Sequence, residues 1–233
     1  IMKGLSILIF AFNEEKRILS TLKLINSIIK KVHIKYEIII INDGSTDQTI
    51  NIINKFKKKN KKIKVIDFKK NGGITRSLQI GTKKAKYDKL TWFPGDDSFL
   101  SKNLKKFFEL SKKNDLVNGF RDNKFVFNKL RKILTTSNQF VQSLLFNQEI
   151  KDVHGLFIFK TSHLRKLKFY CSRYSIMVEI LPSLLNQGRY NISHIKIYLN
   201  KKNLGSSQTL SVQTIFDFAI TWLKSFFYYK LLK

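Results

Sequence analysis

Cysteine and proline are almost absent from this chain of 233 residues, which contains one cysteine and two prolines. The single cysteine, Cys171, excludes a disulfide framework and a zinc site built from cysteines. The scarcity of proline and the 43% of hydrophobic residues exclude a disordered tail protein and a proline-rich linker. A chain of this length forms one large domain or one domain with an appendage, and it buries a core without covalent cross-links.

Acidic residues are also scarce. There are 16 of them against 44 lysines and arginines, which gives a formal net charge of +28. Such an excess of positive charge indicates a polyanionic partner, and the candidates are nucleic acid, an anionic membrane or phosphorylated substrates. A lysine-rich source proteome is an alternative explanation for many of the lysines, but it does not explain where the few acids lie.

Long apolar runs are missing as well. No uncharged apolar stretch approaches the roughly 20 residues that a membrane-spanning helix needs, and the uncharged run 5–13 is too short for a signal peptide. Residues 209–233 combine many aromatic side chains with Lys224 and Lys230, which predicts an amphipathic helix in a membrane interface. A helix packed on the domain, or the start of a membrane region, is the alternative. We expect a protein peripheral to the cytoplasmic face of a membrane.

The first half of the chain alternates strand and helix patterns. We predict strands at 5–10, 36–41, 63–68, 90–93 and 116–118, with helices from 14, over 48–59, over 75–86 and after 101. The continuous β-branched run at 36–41 is typical of a strand buried on both faces of a parallel sheet. This alternation predicts an α/β fold with right-handed crossovers and a mostly parallel central sheet flanked by helices.

The second half is less regular. We predict a long helix over 125–146, a strand over 156–159, a helix over 175–187 and a strand over 190–198. No composition break separates these elements from the first half. The simplest organisation is one α/β domain over 1–208, followed by the aromatic and basic segment 209–233.

Polar groups follow each of the first four predicted strands, at the sheet edge where open α/β folds bind ligands. No G-x-G-x-x-G follows the first strand and no G-x-x-x-x-G-K-[ST] is present, so dinucleotide and P-loop sites are excluded. Paired carboxylates at such an edge suit Mg²⁺ or Mn²⁺, which are commonly shared with substrate phosphates. Turn-forming or capping roles are the alternative for each acid taken alone. The acids at this edge are Glu14, Glu15, Asp43, Asp47, Asp96 and Asp97.

Four motifs in order carry a resemblance to a known family: FNEE at 12–15, NDGSTD at 42–47, NGG at 71–73 and GDD at 95–97. Their order and spacing resemble the family 2 glycosyltransferases, whose fold is called GT-A. Later segments are similar to the polyprenyl-phosphate sugar transferases, a group that includes dolichyl-phosphate mannose synthase. These segments are DLVNGFR at 115–121, Arg131, DVHG at 152–155, Glu179 and the terminal stretch 202–207.

The resemblance implies an inverting, metal-dependent transfer from a UDP- or GDP-sugar to a polyprenyl phosphate. It implies that Asn13, Glu14 and Asp43 hold the nucleoside, with Asp43 facing the base. Asn71 and Gly73 belong to the same nucleotide-sugar site, and Arg76 lies near the donor phosphates. Asp97 binds the metal with Asp96 beside it, and Arg121 and Arg131 meet the acceptor phosphate.

The chain departs from the family pattern at several positions. Gly95 stands where the family has the first Asp of a D-x-D motif, which predicts weaker metal binding or a metal site that rests on Asp97 alone. In the terminal motif Lys202 replaces an arginine and Gln208 replaces a lysine. The Q-x-x-R-W motif of processive polysaccharide synthases is absent.

The acceptor decides which catalytic groups are needed. A phosphate acceptor is already anionic, so it needs basic side chains to hold it rather than a base. A sugar hydroxyl needs a general base, for which Asp152 is the candidate, although capping the turn before Gly155 explains Asp152 equally well.

Three hypotheses follow from these patterns. The first is sugar transfer to a polyprenyl phosphate, and the second is transfer to a sugar hydroxyl in cell-envelope glycan synthesis. The third is a non-catalytic protein that binds a polyanion or nucleic acid. Nucleic acid is the least expected partner, because no RNA- or DNA-binding signature is present and the acids gather at one edge.

Overall fold

The structure is a computed structural model that describes residues 2–121, 151, 152, 154–167, 180, 181, 184, 190–203 and 220. Within these residues seven strands form one sheet in the order β3-β2-β1-β4-β6-β5-β7. The strands are β1 (Leu5–Ala11), β2 (Tyr36–Asn42), β3 (Ile63–Asp67), β4 (Lys89–Pro94), β5 (Leu116–Arg121), β6 (Leu156–Lys160) and β7 (Ile192–Ile197).

Five α-helices are described alongside this sheet. They are α1 (Ile18–Lys30), α2 (Thr49–Lys58), α3 (Gly73–Lys84), α4 (Leu104–Leu110) and α5 (Thr161–Lys166). A short 3-10 turn at Lys201–Asn203 follows β7. The apolar positions of α1 recur every three or four residues, and Ile18, Leu22, Ile25 and Ile29 are all buried, as expected for an amphipathic helix packed on a sheet.

Helices cover both faces of the sheet. Helices α1, α2 and α4 pack on one face through a cluster that includes Ile25, Ile53 and Phe107. Helices α3 and α5 pack on the other face through Leu78 and Leu164. All seven residues of β2 are buried, because this strand has neighbours on both edges and helices on both faces. The predicted α/β fold with a flanked central sheet is therefore confirmed.

The sheet is mostly parallel, with one reversed strand. β1 pairs in parallel with β2 and β4, β2 with β3, and β5 with β7. β6 is antiparallel to both β4 and β5, a reversal that the sequence pattern did not predict. The carboxyl ends of β1, β2, β4, β5 and β7 therefore lie at one edge, where β6 begins. We call this the carboxyl edge.

Several predictions concern residues outside the described ones. The helix over 125–146, most of the helix over 175–187 and the amphipathic segment 209–233 lie there, so they stay predictions, as does the division into 1–208 and 209–233. Among the residues that the structure describes, no helix is both long enough and apolar enough to cross a membrane.

Lys89 is a buried lysine at the start of β4, at the edge opposite the carboxyl edge. Its Nζ donates to the carbonyl oxygens of Asn114 and Asp115 at 2.7 and 2.9 Å. Burial lowers the pKa of Lys89 from 10.5 to about 8. Between these two values the unfolded chain binds more protons than the folded chain, so the free energy of unfolding rises with pH through this window.

We expect Lys89→Met to flatten this rise, because the substituted side chain no longer titrates. Urea unfolding between pH 7.5 and about 10 measures the slope, with the exposed Lys58 replaced by Met as the control that keeps it. If the free energy of unfolding changed with pH equally in the wild type and in Lys89→Met, the slope would not come from Lys89.

Candidate active site

The loops after β1 and β2 are joined to each other at the carboxyl edge. Asn13 has a φ of 54°, a left-handed conformation that asparagine adopts more readily than most residues. Its Oδ1 accepts a hydrogen bond from the Thr46 backbone N–H at 2.9 Å, and its own N–H donates to Ser45 Oγ. The Glu14 N–H donates to Thr49 Oγ1 at 2.8 Å. These contacts fix the FNEE loop against the NDGSTD loop.

Asp43 joins the end of β2 to the start of α3. Its Oδ1 accepts from the Gly72 N–H at 3.0 Å and its Oδ2 from the Gly73 N–H at 2.7 Å. The carboxylate thus caps two free amides at the positive end of the α3 dipole. Asp43 and Gly73 are brought together as the edge rule predicts, and each carboxylate oxygen keeps a second lone pair for a ligand. Base recognition by Asp43 stays a prediction.

The loop that carries Asp96 and Asp97 is held at both ends by aromatic rings. Phe93, the last buried residue of β4, contacts Phe99 edge to face with ring centroids 5.8 Å apart. Between them, Gly95 lies so close to β1 that a Cβ atom there would be 2.9 Å from the Phe10 carbonyl oxygen. An aspartate at position 95 would therefore force the backbone apart, which explains the departure from the D-x-D motif.

Asp97 is strongly constrained. Its φ is 54°, and its backbone N–H donates to Thr21 Oγ1 in α1 at 2.9 Å. Asn203 Nδ2 donates to Oδ2 at 2.8 Å, and Asn200 Nδ2 donates to the same oxygen at 3.3 Å. Burial raises the pKa of Asp97, and the Asp96 charge acts in the same direction against the hydrogen bond from Asn200.

Negative charge is concentrated around this loop. Burial raises the pKa of Glu14, and the nearby charges of Asp96 and Asp47 add to the increase. Arg17 opposes it through an ion pair of 2.7 Å between its Nε and Glu14 Oε2. A bound cation would offset the repulsion among these carboxylates.

The donor set fits a hard divalent cation. Asp97 Oδ1 and Asp96 Oδ2 take part in no hydrogen bond among the described residues, whereas Asp96 Oδ1 accepts from the Ser98 N–H. No group of three or more His, Cys, Asp or Glu suited to a metal ion occurs in the part of the chain that the structure describes. Mg²⁺ is commonly held by one or two carboxylates with water and substrate phosphates completing its shell, so two aspartates are sufficient.

Three further side chains surround the same loops. The guanidinium of Arg76, in the first turn of α3, lies 3.9 Å from the centroid of the Phe68 ring, and its Nη1 donates to the Lys70 carbonyl. Asn71 is exposed in the loop before α3. Phe12, directly after β1, is 46% exposed, which is unusual for phenylalanine. The roles of Arg76 and Asn71 toward a nucleotide sugar stay predictions.

Arg121 and Asp152 form a buried ion pair at the same edge. Arg121 Nε donates to Asp152 Oδ2 at 2.6 Å and Nη2 donates to Oδ1 at 2.9 Å. Although burial alone would raise it, the Arg121 guanidinium holds the pKa of Asp152 below its ordinary value. Asp152 Oδ1 also accepts from the His154 N–H, so the capping role considered from the sequence is present.

This pairing bears on two predicted roles. In this arrangement Asp152 is a charged, buried carboxylate bound by a bidentate partner, and two guanidinium nitrogens and the backbone N–H of Arg121 donate to it. Contact of Arg121 with an acceptor phosphate and base catalysis by Asp152 remain predictions. Arg131 lies outside the described residues.

Sequence reasoning missed Asn200, Asn203, Thr21 and Phe12. The two asparagines lie more than 100 positions from Asp97, and nothing in the local pattern signals a contact over that separation. Phe12 was visible only as part of the FNEE motif, and its exposure became evident from the structure.

Comparison with known proteins gives the family. The family model described as Glycosyl transferase family 2 matches residues 6–168, which is more than half of the chain. The poly-β-1,6-N-acetyl-D-glucosamine synthase of Staphylococcus epidermidis is 39% identical over 87 residues, which are 37% of this chain and 20% of that protein. An uncharacterized glycosyltransferase of Haemophilus influenzae is 42% identical over 76 residues, 33% of this chain and 23% of that protein. The chain thus spans about a fifth of the length of the curated relatives it matches.

Solved structures share the fold. Glucosyl-3-phosphoglycerate synthase from Mycobacterium tuberculosis, crystallised with Mn²⁺, UDP and phosphoglyceric acid, matches with a TM-score of 0.69 at 14% identity, covering 97% of this chain and 78% of that chain. A crystal structure of the same enzyme with Mg²⁺ and UDP gives a TM-score of 0.70 at 12% identity, covering 97% and 79% of the two chains. At this identity the similarity shows the fold, which is the predicted GT-A fold.

Proposed function

This chain belongs to glycosyl transferase family 2, and on that premise we propose that it moves a sugar from a UDP- or GDP-sugar to a polyprenyl phosphate at a membrane surface. The observation that carries the donor half is the pair Asp96 and Asp97 at the carboxyl edge, with carboxylate oxygens uncommitted to hydrogen bonds among the described residues. Mg²⁺ or Mn²⁺ is the proposed cofactor.

The donor would lie across the ends of β1, β2 and β4. Asp97 and Asp96 would hold the cation, which when bound neutralises negative charge on the departing nucleoside diphosphate. Asn13, Glu14 and Asp43 would hold the nucleoside, and the exposed ring of Phe12 would offer a stacking surface for its base. The guanidinium of Arg76 would supply positive charge toward the phosphates.

The acceptor half of the proposal depends on the state of Asp152, the base candidate that the sequence offers. Asp152 is 1% exposed and its carboxylate is bound by Arg121, so it is poorly placed to remove a proton from a hydroxyl. A phosphate oxygen is already anionic and needs no base to remove a proton. It would attack the anomeric carbon and form the new C–O bond as the bond to the nucleoside diphosphate breaks, with inversion. Arg121 and Arg131 are the proposed contacts for the acceptor phosphate.

We propose that the protein acts at the cytoplasmic face of the membrane. The net charge of +28 supports attraction to an anionic lipid surface, and the pattern of 209–233 supports interfacial contact. A non-catalytic polyanion-binding role is disfavoured, because the chain belongs to a family of transferases.

Transfer to a sugar hydroxyl is the second candidate function. It is favoured by the Staphylococcus epidermidis relative, whose name describes the synthesis of a polysaccharide. That relative matches only 37% of this chain, so its acceptor carries over as a proposal alone.

Incubation with a panel of radiolabelled nucleotide sugars, Mn²⁺ and polyprenyl phosphate, followed by organic extraction, separates the two candidates. We expect label in the lipid phase for one sugar, and no label there when polyprenyl phosphate is omitted. Label that stays in the aqueous phase on an added oligosaccharide would overturn the lipid acceptor and support the hydroxyl acceptor.

A further inference from the structure

Asp97 is held in position by a segment that no motif assigned to the donor site. The segment comprises residues 198–203 and follows β7. It pairs with the residues after Asp97: the Leu100 N–H donates to the Tyr198 carbonyl at 2.9 Å, and the Asn200 N–H donates to the Ser98 carbonyl at 2.8 Å. Phe99 and Leu199 form an antiparallel bridge between these two hydrogen bonds.

This pairing brings two side-chain amides to one carboxylate oxygen. Asn203 Nδ2 contacts Asp97 Oδ2 at 2.8 Å and also the Asp97 backbone carbonyl at 3.2 Å. Asn200 Nδ2 contacts the same Oδ2 at 3.3 Å. With the backbone N–H of Asp97 bound to Thr21, these contacts engage every polar atom of Asp97 except Oδ1, as far as the described residues go.

We propose that Asn203, assisted by Asn200, is a positioning residue that binds Asp97 Oδ2 and thereby presents Oδ1 to the cation. The inference rests on the proposed function, since it assumes that Asp97 is a metal ligand. The orientation of the Asp97 carboxylate matters more here than in a site with three carboxylates. Gly95 supplies no ligand, and it cannot accept a side chain without displacing the backbone. Partners that orient a metal-binding carboxylate commonly determine metal affinity.

The geometry ranks the two asparagines. Asn203 makes the shorter contact with Oδ2 and a second one with the backbone, so its loss frees the carboxylate to rotate more than the loss of Asn200 does. A purely structural role predicts the opposite pattern: reduced thermal stability with unchanged affinity for the metal.

The test is the Mn²⁺ affinity of the full chain, measured from the electron paramagnetic resonance signal of free Mn²⁺ in parallel series with UDP and with GDP. We expect Asn203→Ala to weaken Mn²⁺ binding by at least about tenfold, and Asn200→Ala to weaken it less. Asn114→Ala, which removes an amide that donates to the Leu110 carbonyl at the opposite edge, should leave affinity unchanged. Thermal unfolding of each variant accompanies the series.

Asn203→Leu keeps the side-chain volume but removes the hydrogen-bond donor. If Asn203→Ala fails to fold, the Mn²⁺ affinity of Asn203→Leu tests the proposal instead. Mn²⁺ binding as tight in the Asn203 variants as in the wild type would overturn the inference and leave the metal site standing. A wild-type chain that binds no Mn²⁺ in either series would instead overturn the metal site in the proposed function.

Discussion

Replacing Asp97 by alanine is expected to abolish turnover of the nucleotide-sugar donor while leaving the fold intact. Asp97 is half-buried in the loop after β4, and its carboxylate contacts only Asn200 and Asn203 among the described residues. Removing the carboxylate therefore takes no contact away from the hydrophobic core. Losing the cation removes several kcal/mol of charge stabilisation, which corresponds to at least about a hundred-fold decrease in rate.

Initial rates of donor turnover measure this effect, and thermal unfolding monitors the fold. Glu109→Ala is a matched control, because the Glu109 side chain makes only an exposed ion pair with Lys105 on α4 among the residues that the structure describes, and it lies away from the carboxyl edge. Full activity in Asp97→Ala would contradict the assignment of this residue to the metal.

Removing Asp152 is expected to have the largest effect on stability. Asp152→Ala leaves the buried Arg121 guanidinium without its bidentate partner, and breaking a buried pair in this way lowers the free energy of unfolding by about 3–5 kcal/mol. The double variant Arg121→Met/Asp152→Ala should recover a large part of this loss, because it removes both charges from the buried site. Urea unfolding at neutral pH measures both values.

The exposed pair of Lys105 and Glu109 serves as the comparison, since pairs of that kind contribute about 1 kcal/mol or less. The pKa of Asp152 is lowered in the folded state, so the contribution of the pair is present above the ordinary value of 3.8 and is lost as the pH falls. A small loss in Asp152→Ala, equal to that in Glu109→Ala, would show that the pair does not stabilise the fold.

The fold could be predicted where local patterns specify it. The apolar run at 36–41 and the recurrence of Ile18, Leu22 and Ile25 depend on neighbours in sequence, and the structure places a strand and a helix there. The meeting of Asp43 with Gly72 and Gly73 follows from the same patterns, because parallel strands end at a common edge.

What could not be predicted depends on contacts between distant parts of the chain. The reversal of β6 between β4 and β5 is decided by pairing partners, and its apolar run suits either direction. Arg121 and Asp152 are 31 positions apart, and Asn203 is 106 positions from Asp97. Only the structure shows that Asp152, the predicted base, is bound by Arg121, a predicted contact for the acceptor phosphate.

We propose above all that the carboxyl edge binds a nucleoside diphosphate through a divalent cation at Asp97. Calorimetric titration of UDP and of GDP, each with Mn²⁺ and with a chelator, tests it most directly in the wild type and in Asp97→Ala. We predict that one nucleotide binds the wild type at least about tenfold more tightly with Mn²⁺, and that Asp97→Ala loses this difference. Equal affinity with Mn²⁺ and with chelator, or no binding of either nucleotide, would contradict the claim.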